Sequence, residues 1–136
     1  MRYTIAIAIM FFLIACEKDK QEFNPLILGK WQLIEIYGEK NDHTLGWIII
    51  DDSTIQTIEF NSEGDYTLAT DGNITCNGNF VFESDSILRL KPHDCLPLIE
   101  SIETIYKLTA DTLIFSNRSI SISSFNLRKD KYIKDD

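Results

Sequence analysis

An all-β domain, folded as an eight-stranded up-and-down antiparallel barrel, is what this sequence predicts, and three observations carry the prediction. Beyond Pro25 the chain is a series of short runs rich in Ile, Thr, Phe and Tyr in which apolar and polar residues alternate, the period of a half-buried strand. Helical periodicity is nearly absent. The runs are cut by short clusters of turn formers, and the longer and shorter links alternate along the chain. Closing the sheet removes the exposed edges that an open one would leave. A β-sandwich is the alternative architecture.

The N-terminus comes first. Met1-Arg2 is a short basic start, and residues 3–15 carry no charge, the layout of a secretory signal. As a helix at about 1.5 Å per residue this run would reach about 20 Å, short of the roughly 30 Å hydrocarbon core of a bilayer. It ends in Leu13-Ile14-Ala15-Cys16, which resembles the bacterial lipobox. That resemblance implies cleavage after residue 15, diacylglycerol on the Cys16 thiol and a third acyl chain on the new amino group, with palmitate as a usual acyl donor. One chain anchors only marginally, at about 0.8 kcal/mol per buried methylene, and two or three hold firmly. Residues 16–25 read as the lipidated cysteine and a flexible polar tether. Glu17-Lys18-Asp19 resembles the surface-export signals of Bacteroidetes lipoproteins, so the expected location is the bacterial outer membrane, on its periplasmic face or at the cell surface.

The domain itself spans residues 26–129, with 130–136 as a charged tail. Expected strands are 29–37, 54–60, 65–70, 78–83, 87–91, 101–109, 112–116 and 119–128. Asn61-Ser62-Glu63-Gly64, Asp71-Gly72, Asn77-Gly78, Ser84-Asp85-Ser86 and Ala110-Asp111 supply turns, with glycine where φ must be positive. The links after the first, third and fifth strands (38–53, 71–77 and 92–100) are long, and those after the second, fourth and sixth are short. Alternate links of an up-and-down barrel share one end, so the pattern describes a cup with an elaborated mouth and a tight base. A further short link, Asn117-Arg118, falls at the mouth.

Charge and cysteines narrow the function classes. The whole chain carries a net charge of −8, and losing Arg2 with the signal deepens the acidic excess. Such a domain is repelled by nucleic-acid phosphate, which excludes nucleic-acid partners. Of the three cysteines, Cys16 takes the lipid. Cys76 and Cys95 are an even number in an oxidising compartment and fall in links at the same rim, so a disulfide is expected. Free thiols, or a metal site with His93, are the alternatives. The closed loop of about 20 residues would stabilise the fold by about 3 kcal/mol on the chain-entropy estimate.

Gly29-Lys30-Trp31 opens the first strand. With the strand count and the lipobox, it makes residues 26–129 resemble the lipocalin-like domains of small Bacteroidetes lipoproteins. The stretches 57–66 and 106–115 resemble their repeated hairpins. The resemblance implies that Trp31, next to Gly29, plugs the closed base, and that a cation near the end of the last strand, Arg128 or Lys129, packs over the indole. The chain departs from the eukaryotic members in lacking a C-terminal helix.

Strand alternation turns Trp31, Leu33, Tyr37, Ile58, Phe60, Tyr66, Leu68, Phe80, Phe82, Leu88, Leu90, Tyr106, Leu108, Leu113, Phe115, Ile120 and Ile122 inward. An eight-stranded barrel is wide enough either to be filled by side chains or to hold one small ligand. Candidate ligand-binding residues are Trp47, Tyr37, Glu35, Tyr66 and Tyr106. Glu35 shares the inward parity unless a bulge turns it to solvent, since an unpaired buried carboxylate is costly. Trp47-Ile48-Ile49-Ile50 is an apolar patch at the mouth, either a lid or partner surface, or a segment that packs down as an extra strand or a plug. No Ser, His and acid grouping, Gly-rich phosphate loop or zinc-spaced histidine set appears, so no enzyme, cofactor or metal is expected. The reading is a membrane-anchored binding lipoprotein that holds a small apolar ligand in the barrel. The alternative is a protein-interaction or inhibitor module, with an envelope protein as partner, that uses the mouth loops around a solid core.

Overall fold

The computed structural model describes residues 23–95, 100–118 and 128–135. A 3-10 turn, Pro25–Ile27, leads into nine strands: β1 Gly29–Glu39, β2 Leu45–Ile49, β3 Gln56–Phe60, β4 Asp65–Thr70, β5 Asn73–Ser84, β6 Ile87–Pro92, β7 Ser101–Leu108, β8 Thr112–Arg118 and β9 Lys129–Asp135. All neighbours are antiparallel. The order is β2-β1-β3-β4-β5-β6-β7-β8-β9, and β9 returns to pair with β1. The result is a closed eight-stranded barrel with β2 as an added strand on β1.

Local chemistry sets the corners. At the base, Asn61 Oδ1 accepts from the backbone N–H of Glu63 and of Asp65 (2.9 Å each), while Gly64 takes φ +89°. At the mouth, Asp71 and Gly72 both have positive φ (52° and 78°), as a two-residue type I′ hairpin requires. The third link is therefore a tight turn rather than the expected long one. Asn77-Gly78 is no turn: both residues lie inside β5, opposite Thr67 and Tyr66. Gly78 is needed for close approach, because a Cβ there would sit 2.2 Å from the Lys91 carbonyl oxygen and 2.7 Å from Tyr66 Cε1.

The first link contains β2. The base half of β1, Gly29 to Gln32, pairs with β3, and its mouth half, Glu35 to Glu39, pairs with β2. Between the halves the β1–β9 register shifts at Leu33/Glu35. This bulge keeps Trp31, Leu33 and Ile36 against the core and turns Glu35 and Tyr37 to the outer wall.

The closing strand differs most from expectation. Residues 119–127 lie outside the described residues, and with them the expected inward Ile120 and Ile122. Arg128 precedes β9 instead of ending a strand, and most of the supposed tail is that strand. Asn117 and Arg118 belong to β8, not to a link. The physical reason is an inverted alternation: Asp130, Tyr132 and Lys134 face in and Ile133 faces out at 40% exposure, so the strand lacks the apolar-inward pattern that marks the others.

The core is densest at the base. Ile27, Trp31, Ile58, Phe60, Phe80, Leu88 and Leu113 are fully buried. Phe80 meets Phe60 edge-on at 5.0 Å and Phe23 at 5.2 Å. The chain thus enters the domain at its base.

Candidate functional site

Above this solid base, the mouth half of the barrel holds a cavity of about 260 Å³. Its apolar wall is Ile58, Leu68, Leu90 and Phe115, and its rim is Pro92, Cys95 and Ser101 at the mouth ends of β6 and β7. Four polar side chains line it, Tyr66 from β4, Glu103 from β7, and Asp130 and Tyr132 from β9. Glu103 and Asp130 are 1% and 3% exposed. Both face inward because β7 and β9 pass the cavity with those positions on the concave side.

The Cys76–Cys95 disulfide (Cα–Cα 4.8 Å) ties β5 to the segment after β6 and forms part of the cavity wall. Cys76 lies within β5, four residues past the Asp71-Gly72 hairpin, so the expected pairing holds while the expected link does not. The Tyr66 hydroxyl lies 3.7 Å from Cys76 Sγ. Arg128 Nε donates to Asp130 Oδ1 (2.8 Å) with the guanidinium half exposed. Tyr132 stacks on Phe115 (5.1 Å). Burial pushes the Tyr132 phenol far above its usual ionisation range, and the charges of Asp130 and then Glu103 push it further. Burial also raises Tyr66, with Glu103 adding to it. Both phenols are therefore neutral hydrogen-bond donors at neutral pH.

Of the five residues expected to bind ligand, only Tyr66 lies in the cavity. The other four gather on the outer wall at the mouth end. Tyr37 and Trp47, opposite each other on β1 and β2, meet edge-on at 5.5 Å. Lys131 forms an ion pair with Glu35 and lies 6.0 Å from the Trp47 ring centre. Lys129 stands 4.2 Å above Tyr106 and 5.7 Å from Tyr37. Tyr106 is half exposed because the β7–β8 register shifts between Ile105 and Lys107. The bulges at Glu35 and Tyr106 each reversed a parity that uniform alternation gets wrong.

The base pair also differs from expectation. Trp31 is fully buried, and its Nε1 donates to the Ile27 carbonyl at 2.7 Å. The cation over its ring is neither Arg128 nor Lys129 but Lys134, at 4.7 Å, whose Nζ also donates to the Leu28 carbonyl. Arg128 stands at the mouth, since β9 runs from mouth to base. Gly29 lies at the base beside this pair: its φ is +111°, and a Cβ there would meet Lys134 Cε at 2.9 Å. Sequence reading missed Glu103, Asp130 and Tyr132. The one available signal was the alternation of 129–135 as a strand, which places Asp130 and Tyr132 on one face with Lys134.

Comparison with protein-family models, with curated proteins and with solved structures found no match.

Proposed function

We propose that this chain is a lipid-anchored binding lipoprotein of the bacterial envelope, lipocalin-like in design, that holds a small molecule in the mouth half of its barrel. The observation that carries the reading is the 260 Å³ cavity above a solid base. It is just below the roughly 300–1,000 Å³ of typical small-molecule sites, so the ligand is small. An apolar wall with a few convergent polar groups is the composition such sites use. The disulfide holds one lip of the cavity in place, and a site ordered in advance binds at lower entropic cost. Anchoring is supported by the Leu13-Ile14-Ala15-Cys16 motif. A tether entering at the base turns the mouth away from the membrane, where a ligand can reach it. The inventory of the cavity favours binding over catalysis.

A second reading, a protein-interaction module, is favoured by β2. Among the described residues this strand pairs only with β1, and its Leu45 and Ile49 are 69% and 79% exposed. A bare apolar edge accepts a partner's strand.

Native mass spectrometry of the full chain purified from its host tests the first reading. Acyl chains on Cys16, absent in Cys16→Ser, together with a retained small molecule are the expected result. A protein without acyl mass removes the anchor, and one that is bare in every preparation removes the ligand.

A further inference from the structure

Resting on the reading that the edge of β2 accepts a strand, we propose that the strand it accepts is β2 of a second copy of this chain. Two barrels then join through one antiparallel sheet about a twofold axis at Trp47.

The backbone of β2 shows which positions are open. Ile50 N–H donates to the Ile34 carbonyl at 2.9 Å, and Lys40 N–H donates to the Thr44 carbonyl at 2.8 Å. In the antiparallel register of β1 and β2, the even-numbered positions are therefore the ones bonded to β1. The N–H and C=O groups of Leu45, Trp47 and Ile49 point the other way. On that side β2 has no neighbouring strand among the described residues, because β3 covers only Gly29 to Gln32 of β1. Nor is the edge guarded. Leu45–Ile49 holds no charge and no proline, and its pairing with β1 runs without a bulge. Charge, proline and bulges are the usual guards of an edge that stays unpaired.

The edge complements itself. An antiparallel pairing centred on Trp47 sets Leu45 opposite Ile49 of the second copy, Trp47 opposite Trp47, and Ile49 opposite Leu45. No other antiparallel register of two copies uses all three open positions. The three side chains share one face, on which Leu45 and Ile49 are 69% and 79% exposed. Lys129, Tyr37 and Trp47 form one row across β9, β1 and β2 on that face, with Trp47 edge-on to Tyr37 at 5.5 Å. The twofold axis continues this row into its own copy and adds a Trp47–Trp47 cross-strand pair. Charge permits the approach. The chain carries −8 overall, but the charged positions on this face of β1 and β9 in register with β2 are Glu35, Glu39, Lys129 and Lys131, which balance. A self-complementary contact of this kind closes at two copies.

Sedimentation of the full chain in detergent over a range of concentrations tests this and is expected to show a monomer–dimer equilibrium. Leu45→Lys and Ile49→Glu should each weaken the dimer at least about tenfold, since each sets a charge opposite an apolar side chain twice per dimer. The double substitution should restore it, because each new amine then faces the new carboxylate of the other copy. Trp47→Cys should give a covalent dimer on oxidation, since directly opposed residues lie about 5.5 Å apart. Leu45→Cys should not, with its two copies about 14 Å apart. A dimer indifferent to the single substitutions, or not restored by the double one, would overturn the inference. A monomer at every concentration would also overturn it, and a synthetic peptide of residues 44–50 then separates the two claims. If the monomer binds the peptide, the strand-accepting edge stands and the second copy fails; if it does not, both fail.

Discussion

Lys134 stands 4.7 Å above the centre of the Trp31 ring, although 103 positions separate the two in sequence and neither belongs to a patterned stretch that demands the other. The contact joins the first strand to the last across the closing seam of the barrel, where Trp31 and Lys134 are register partners. It seals the base, so that whatever volume the barrel offers lies at the mouth.

Trp31 is accordingly the aromatic to which stability is most sensitive. Trp31→Ala should cost about 3 to 5 kcal/mol, a large part of the roughly 5 to 15 kcal/mol of a small domain. Trp47→Ala, on the outer wall, should cost less than about 1.5 kcal/mol. Urea denaturation of the two variants checks the order. Lys134→Met keeps the stem and removes the cation, and should lose about 0.5 to 2 kcal/mol.

Much of the base was legible in the sequence and much of the site was not. Gly29-Lys30-Trp31 identifies a strand start and a plug, and both are found; the positive φ of Gly29 was not legible. Lys134 stayed hidden because the inward face of β9 is polar, which makes a closing strand look like a charged tail. Tyr106 changes face at a bulge that uniform alternation does not foresee, whereas the bulge at Glu35 was expected from the cost of an unpaired buried carboxylate. Asn77-Gly78 has turn chemistry but serves packing, because Tyr66 needs the space above a glycine. The Cys76–Cys95 pair was legible from an even cysteine count, although Cys76 lies within β5 and not in the link that suggested it.

Gly78→Ala tests the packing role directly. Its Cβ would collide with the Lys91 carbonyl and the Tyr66 ring, and overpacking of this kind costs about 1 to 3 kcal/mol. The expected result is a lowered denaturation midpoint together with a change in the near-ultraviolet circular dichroism of Tyr66. An unchanged midpoint would mean that the ring has room to move.

Loss of the disulfide should act on the lip of the cavity more than on the base. Cys76→Ser with Cys95→Ser should lower stability by about 3 kcal/mol. Hydrogen exchange should accelerate at Leu90 and Ser101 and remain slow at Trp31 and Leu113. Uniform acceleration would contradict a lip-specific role.

Alkaline pH should destabilise the fold through Tyr132. Burial raises its folded-state pKa above the ordinary 10.0, so its contribution is fully present below pH 10. It is lost as the pH rises beyond that, because the unfolded chain ionises first. Tyr66, shifted in the same direction, adds to the effect. Melting temperature should fall as the pH rises above about 10 in the parent protein, and less steeply in Tyr132→Phe. Equal slopes would show that Tyr132 does not carry the dependence.

That a ligand sits inside the barrel, and not on the exposed edge of β2, is tested most directly by native mass spectrometry of the full chain beside Leu68→Trp, a substitution that fills the cavity from its wall. The account predicts a small-molecule adduct on the parent protein and its loss from Leu68→Trp, with both proteins folded by circular dichroism. An adduct retained undiminished by folded Leu68→Trp would contradict it.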